Sequence, residues 1–322
     1  MKFGVFIPQG WRLDLPKNID SYSQWKIIKE VALKAEELGY NYILVYDHFH
    51  TVPKPIPGRS VFEAWTLMAS LASITKKIRL GQLVTCVLYR SPAYLAKVSS
   101  VVDVISNGRV ELGLGACWYL DEFNGYGYSF PRARDRIFML DEAIQVIKLM
   151  WTRPKAYFDG KYFKLNGALN DPKPIQKPHP PILIGGGGEK YTLKVAAKHA
   201  NKWHVGGPYE IYLRKMDILR KHCENVGRDF NEIVLTYGGT VIIDREEKNV
   251  RKKFEEYEPN RIRGTRYEEM RERTFLGTPE EIAEKIEKFK KIGVKEIYLF
   301  FPYAYRLTEL ELFRDDVMRE FK

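Results

Sequence analysis

The sequence predicts an α/β fold in which eight parallel strands, each followed by a helix, close into a (β/α)8 TIM barrel. Apolar stretches of strand length alternate with amphipathic helical stretches along all 322 residues, and eight such pairs can be counted. The strand stretches are apolar on both faces, as in parallel sheets that helices cover. No break in composition divides the chain, so residues 1–322 are expected to form one domain. A doubly wound open sheet is the alternative.

Glycine, proline and asparagine mark the ends of the first four units. Gly39 stops the first helix, Pro92 opens the third, and Asn107-Gly108 ends it. The predicted strand and helix of each unit are, in order, Lys2–Ile7 with Asp20–Leu38, Asn41–Asp47 with Phe62–Ile74, Ile78–Thr85 with Pro92–Ile105, and Arg109–Gly115 with Ala133–Trp151. Residues 153–181 are rich in proline and polar side chains, which predicts an insertion or a lid.

The last four units follow that insertion. The charged residues 244–274 are expected to contain the seventh helix and a mobile stretch around Pro259–Gly264. Thr278 as N-cap and Pro279 at the first helical position predict a helix that ends at Gly293. The remaining predicted elements are, in order, strand Ile182–Gly185, a helix ending at His199, strand Lys202–Val205, helix Glu210–Asn225, strand Glu232–Ile243, strand Glu296–Phe301 and helix Leu307–Phe321.

Composition limits the classes of partner. The N-terminus reaches Pro8 too soon for a signal sequence, and no apolar run approaches the roughly 20 residues of a membrane helix, so a cytoplasmic protein without a membrane partner is expected. The net charge of +11 comes from basic residues interleaved with acids, which favours a heat-adapted surface over a nucleic-acid site. The surplus of positive charge also favours an anionic small ligand.

The three cysteines are Cys86, Cys117 and Cys223. They are far apart, odd in number and without a Cys-x-x-Cys pair. This pattern argues against a disulfide framework and against a zinc ribbon.

The strand that ends in Asp47-His48 is the first indication of an active site. In a closed barrel the carboxyl ends of all strands converge on one mouth, where the catalytic residues lie. The residues expected there are Asp47–His50, Leu83–Cys86, Gly115–Trp118, the glycines 185–188, His204 and Phe301–Tyr303. This set is apolar and aromatic with few titratable groups, so it suits a flat ring-shaped cofactor.

The four glycines Gly185, Gly186, Gly187 and Gly188 lie where a strand is expected to run into a helix. Bare backbone N–H groups at a helix N-terminus form a cradle for phosphate. A tight turn would explain one or two glycines but not four in a row. The sequence therefore predicts a phosphate site here.

His48 and His50 also have the H-x-H spacing of a metal site. A metal-dependent hydrolase barrel would need further histidines and an aspartate at other strand ends. Only His204 is suitably placed, and the fifth strand ends in glycine. The sequence therefore favours a site without metal.

The chain resembles the bacterial luciferase-like superfamily, and within it the branch that uses the deazaflavin coenzyme F420. The resemblance extends from Lys2 to about Phe313. The segments that carry it are Leu80–Thr85, Asp103–Arg109, Gly113–Trp118, Pro181–Gly188 and Gly277–Glu281.

The resemblance implies roles at individual positions. A non-proline cis peptide at Leu83–Val84 would support the cofactor ring from behind. Asp47 and His48 would lie beside the ring, where His48 would stabilise negative charge or move a proton. The other residues implied to hold the cofactor are Cys86, Gly115, Ala116, Cys117, Trp118, Asp121, Glu122 and, at the phosphate, Arg136 with Gly186–Gly188.

Three functions follow from the resemblance. The first is hydride transfer between coenzyme F420 and a small organic substrate. The second is a reduced-FMN monooxygenase that uses O2 with a separate reductase, and the third is a non-catalytic flavin-binding barrel. Trp118 replaces the catalytic glutamate of the sugar-phosphate dehydrogenases, and the tryptophan that they carry after the histidine is absent near Val52, which argues against a sugar phosphate. His50, Tyr89 and the 153–181 lid are candidate substrate contacts.

The resemblance also implies a homodimer. Relatives pair through helices near the second and third strands. The apolar face of Phe62, Trp65, Leu67 and Met68 would serve for this contact, or would equally be a core face.

Overall fold

A computed structural model describes residues 1–257, 259 and 263–321. Its strands are β1 Lys2–Phe6, β2 Tyr42–Val45, β3 Arg79–Gln82, β4 Thr85–Cys86, β5 Val110–Gly115, β6 Ala156–Asp159, β7 Lys164–Ala168, β8 Ile182–Gly185, β9 Lys202–His204, β10 Val234–Ile243, β11 Phe275–Gly277 and β12 Glu296–Phe300. Its helices are α1 Ser21–Glu37, α2 Ala64–Ile74, α3 Pro92–Ile105, α4 Leu120–Gly125, α5 Ala133–Thr152, α6 Thr192–His199, α7 Tyr209–Asn225, α8 Glu247–Glu256, α9 Tyr267–Arg273, α10 Pro279–Lys291 and α11 Thr308–Asp316.

The strands form a closed parallel barrel, as the sequence predicts. The order around it is β10, β12, β1, β2, β3, β5, β8 and β9, and β9 pairs with β10 to complete the ring. All eight predicted barrel strands are present with ends within about two residues of the prediction. The carboxyl ends therefore meet at one mouth, where the site is expected.

The third strand of the barrel is interrupted. Its first part, β3, and its last part, β4, both pair with β5, and Leu83 and Val84 lie between them. The peptide bond from Leu83 to Val84 is cis, as the family resemblance implies.

Residues 153–181 form an insertion but not a lid. They contain the antiparallel hairpin β6–β7, whose turn is held by the Glu142 carboxylate on α5 through the amides of Lys161, Tyr162 and Phe163. The later part of the insertion is tied to α3, where Asp103 accepts from the amide of Ile175 at 2.8 Å. Of the two predicted alternatives the structure has the insertion, because these bonds hold the segment against the outer helices.

The charged residues 244–274 contain two described helices, α8 and α9, as their composition predicts. The short strand β11, which follows α9, was not predicted and extends the sheet beside the end of β10. The predicted mobile stretch around Pro259–Gly264 lies in part outside the described residues. The capping box of Thr278 and Glu281 starts α10 where the sequence places it.

Two cores hold the barrel. An outer core of Val, Ile, Leu and Ala packs the strands against the helices, and an inner core of aromatic residues fills the barrel near its mouth. At the opposite end of the barrel, Lys202 Nζ lies 2.8 Å from Glu296 Oε2 and 2.7 Å from Glu111 Oε2. Arg79 Nε lies 2.8 Å from Glu111 Oε1, so two cations offset the two carboxylates of this buried cluster, which fills the end of the barrel.

The apolar face of α2 is a core face. Trp65, Leu67 and Met68 are at most 4% exposed, so they cannot form the predicted dimer contact. The exposed apolar side chains nearby belong to α3, namely Tyr94, Val101, Val104 and Ile105. None of the helices in the described part of the chain is both long and apolar enough to cross a bilayer.

Candidate active site

A cavity of about 390 Å³ opens at the mouth between β2, β4, β5 and β8. Most of the residues predicted to hold the cofactor line it. These are Asp47, His48, Leu83, Val84, Cys86, Gly115, Ala116, Cys117, Trp118, Arg136 and Gly185–Gly188. Asp121 and Glu122 do not line it, so neither meets the polar edge of a ring there.

Glu122 instead holds His48 from behind. Its side chain is fully buried, and Oε2 lies 2.8 Å from His48 Nδ1 and accepts from the Tyr89 hydroxyl at 2.6 Å. Oε1 accepts from the amides of Phe49 and His50. Burial would raise the pKa of Glu122, but the hydrogen bonds from His48 and Tyr89 outweigh it and lower that pKa. An ionised Glu122 accepts a hydrogen bond from the Nδ1–H group of His48. The other ring nitrogen, Nε2, is then available to accept or donate a proton in the cavity.

Trp11 holds the other side of the imidazole. The two rings are stacked, with centroids 4.0 Å apart and planes 4° apart. Trp11 follows β1, and its only sequence indication is an aromatic residue shortly after a barrel strand. Trp11 was not predicted from the sequence, because the conformation of the loop that places it against His48 is not indicated by hydrophobic periodicity.

Asp47 is tied to Arg90 rather than free for chemistry. Arg90 Nη1 and Nη2 lie 2.8 and 2.9 Å from its two carboxylate oxygens, and the amide of Cys86 donates to it at 2.9 Å. Burial raises the pKa of the Asp47 carboxyl, and Arg90 opposes that shift. These bonds fix the strand end that presents His48, so the geometry makes Asp47 a positioning residue.

Val84 forms the back wall of the cavity, packed against two glycines. A Cβ on Gly115 would lie 2.5 Å from Val84 Cγ2, and one on Gly185 would lie 2.6 Å from Val84 Cγ1. Only glycine leaves room for the interrupted strand to press against its neighbours. Gly185 is therefore required for packing against Val84. This corrects the prediction that all four glycines of the tract form a phosphate site.

The rest of that tract fits an anion. A Cβ on Gly187 would meet Lys215 Cδ at 2.8 Å, and Lys215 Nζ donates to the Gly187 carbonyl at 2.5 Å. Arg136 lines the same cavity and donates to the Ala116 carbonyl. The helix does not begin in the tract as predicted, since α6 starts at Thr192 after a short turn.

Cys86 and Cys117 form a disulfide in the cavity wall. The sequence argument against a disulfide framework was wrong on this point. Cys86 ends β4, and Cys117 lies two residues after the neighbouring parallel strand β5. Cys86 pairs in register with Gly115, so the two cysteines, 31 residues apart in sequence, have a Cα–Cα distance of 5.1 Å. Cys223 is buried in α7 and free.

His48 and His50 do not converge on a common point. The His50 ring packs 5.4 Å from that of Tyr126, away from the stack of His48 on Trp11. Within residues 1–257, 259 and 263–321, no group of three or more His, Cys, Asp or Glu is placed to hold a metal ion.

A second cavity, of about 370 Å³, continues from the first across Val84 and Trp118. Its other walls are mainly aromatic side chains and glycine backbone, together with Arg12 and His204. The Thr236 hydroxyl donates to the Trp203 carbonyl, so it accepts from His204 Nδ1 at 2.9 Å. Burial lowers the pKa of His204 to about 3, so the ring is neutral and its Nε2 is an acceptor.

A lowered histidine pKa predicts a pH-dependent stability. Between pH 3 and 6.5 the unfolded chain binds more protons at residue 204 than the folded chain, so the free energy of unfolding falls as the pH drops through this window. One pKa unit corresponds to about 1.4 kcal/mol, and the open cavity screens part of the shift. Between pH 7 and pH 4, we expect the free energy of unfolding of His204→Asn, measured by urea titration, to fall by about 2 kcal/mol less than that of the wild type. Equal decreases in the two proteins would contradict a lowered pKa of His204.

The family model for luciferase-like monooxygenases matches residues 1–296. The chain belongs to this family. A curated relative, the F420-dependent glucose-6-phosphate dehydrogenase of Amycolatopsis mediterranei, is 31% identical over 65% of this chain and 64% of its own. The FMNH2-dependent dimethylsulfone monooxygenase of Pseudomonas putida is 25% identical over 91% of this chain and 88% of its own.

Solved structures confirm the fold. One is an F420-dependent secondary alcohol dehydrogenase in complex with an F420–acetone adduct, which matches with a TM-score of 0.80, 21% identity and coverage of 98% of both chains. At this identity the likeness supports the luciferase-like barrel and nothing finer.

Proposed function

We propose that this protein transfers a hydride between coenzyme F420 and a small organic substrate. One observation carries the proposal: His48 is held with one ring nitrogen free at a ring-sized cavity whose back wall is Val84. A bound deazaflavin supplies the hydride donor or acceptor. Val84 and Trp118 border both cavities, so the second cavity offers the substrate a place next to the cofactor ring.

The chain's own residues supply positioning and proton transfer. Glu122 and Trp11 fix the imidazole of His48, so that Nε2 can give or take a proton as the substrate oxygen changes charge. Arg136 and the bare backbone of Gly186–Gly188 fit a phosphate group. The surplus of positive charge suits a coenzyme with an anionic tail.

Reduced FMN with O2 is the second candidate. The observation that favours it is the length of the match to the dimethylsulfone monooxygenase, 91% of this chain against 65% for the F420-dependent relative. A monooxygenase of this kind would need a separate reductase. The homodimer also stays a prediction, and α3 offers the exposed apolar residues for it.

The test is a titration of the purified protein with oxidised coenzyme F420 and, separately, with FMN, followed by ligand fluorescence. We expect F420 to bind at least ten times more tightly than FMN. Tighter binding of FMN would overturn the proposal in favour of the monooxygenase. Tight F420 binding without turnover of any alcohol, enone or imine would favour the non-catalytic barrel.

A further inference from the structure

A third cavity, of about 430 Å³, lies beside the second at the barrel mouth. The two share Arg12 and the backbone of Gly206, Gly238 and Gly239. The order across the mouth is therefore the cofactor cavity, an aromatic cavity and then this one, which we call the basic cavity.

Arg12 is the central cation of the basic cavity. Its guanidinium lies 4.1 Å from the centroid of the Phe300 ring, and Nη2 lies 3.4 Å from Thr240 Oγ1. The aromatic packing holds the group in place while it borders both cavities. Arg12 is therefore oriented in advance at the boundary between the aromatic and the basic cavity.

No carboxylate within the described residues forms an ion pair with Arg12. Asp14 is the nearest acid in sequence, but its two oxygens accept from the amides of Gln9 and Gly10 at 3.2 and 2.9 Å. Burial opposes the charge of Arg12, but Tyr257, Tyr46 and Asp14 outweigh burial and raise its pKa, so the group is a stable cation. Because no ion pair occupies the guanidinium, an anionic ligand can bind it directly.

The described residues that line the basic cavity are rich in positive charge. Arg263 and Arg273 also line it, and Glu269, the acid among the described lining residues, already pairs with Arg273 at 2.8 Å. Arg12 and Arg263 line the same cavity. Partial burial and the positive charge of Arg12 lower the pKa of Arg263, as expected for two cations without a shared anion. The glycine backbone leaves room for a ligand to approach closely.

We propose that the basic cavity binds the anionic end of the substrate. The substrate is then a small molecule with an apolar body in the aromatic cavity and a carboxylate or phosphate held by Arg12 and Arg263. This inference rests on the proposed function, because it names the substrate class of the same site. Arginine suits both anions because its planar fork forms two parallel hydrogen bonds.

Calorimetric titration with matched probes tests the proposal on the protein without added coenzyme. Phenylacetate carries an apolar ring and a carboxylate, phenylacetamide has the same shape without the charge, and phenyl phosphate offers the alternative anion. We expect both anions to bind at least ten times more tightly than the amide, and a rise in salt to weaken only the anions. The stronger anion identifies which of the two groups the substrate carries.

Variants locate the site. Arg12→Gln is expected to weaken anion binding about ten- to a hundred-fold and to leave the amide unchanged, since hydrogen bonds to charged groups carry such effects. Arg263 is more exposed to solvent than Arg12, so for Arg263→Gln we expect a smaller loss of anion affinity, about three-fold. The control is Arg220→Gln on α7, an exposed arginine that also packs over an aromatic ring, that of Phe230.

Two results would overturn the subsite. One is equal or absent binding of acid and amide by the wild type. The other is anion binding that neither Arg12→Gln nor Arg263→Gln weakens, which would move the anion to the Arg136 and Lys215 region. If the anion subsite is overturned but F420 binds tightly, the proposal of hydride transfer still stands. If the anions bind as expected but F420 does not bind, only the proposal of hydride transfer is overturned.

Discussion

Replacing Glu122 by glutamine is expected to invert the tautomer of His48 and to lower the free energy of unfolding by about 2–3 kcal/mol. The amide oxygen can keep the bonds from the amides of Phe49 and His50, but the amide nitrogen then faces Nδ1 and the Tyr89 hydroxyl. A donor opposite Nδ1 forces the proton to Nε2. The free energy of unfolding falls because His48 and the Tyr89 hydroxyl, both hydrogen-bonded to the carboxylate, lose a charged acceptor.

Two measurements check this expectation. Nitrogen chemical shifts of the imidazole report the tautomer, and urea unfolding reports the stability. Asp121→Asn is the matched control, because this carboxylate is the exposed neighbour of Glu122 on α4, and we expect a change within about 0.5 kcal/mol. A His48 with the proton still on Nδ1 in Glu122→Gln would show that Glu122 does not set the tautomer.

The fold could be predicted because its periodicity is local. Each strand is a short apolar run between polar stops, and each helix has its own start and stop residues, so eight units could be read in order. Converging strand ends then placed His48, Val84, Gly115 and Gly185 in one cavity. The choice between an insertion and a lid could not be predicted, since composition indicates a loop but not the face on which it packs.

Contacts between loops could not be predicted. Trp11 and Arg90 reach the site from two loops and Glu122 from the short helix α4, and their partners are 37 to 74 residues away in sequence. The disulfide could have been predicted, since Cys86 and Cys117 both follow predicted neighbouring strands. The argument against it used only the number and spacing of the cysteines and not their positions on the barrel.

Replacing Gly115 by alanine is expected to disrupt the cofactor cavity from its back wall. The new Cβ would lie 2.5 Å from Val84 Cγ2, and the interior of a closed barrel has little room to relax. Overpacking of this kind costs about 1–3 kcal/mol in the free energy of unfolding. Because Val84 must move into the cavity, we expect cofactor binding to weaken by at least ten-fold in the fluorescence titration.

Val84→Ala provides the rescue, because the clash is with the methyl groups of Val84. The Cβ of residue 84 would remain 3.8 Å from that of residue 115, an ordinary van der Waals contact. In a double-mutant cycle, the alanine at 115 should cost at least about 1 kcal/mol less beside alanine at 84 than beside valine. Additive effects would mean that Gly115 is needed for another reason, and the back wall would then not depend on the packing of Val84 against glycine.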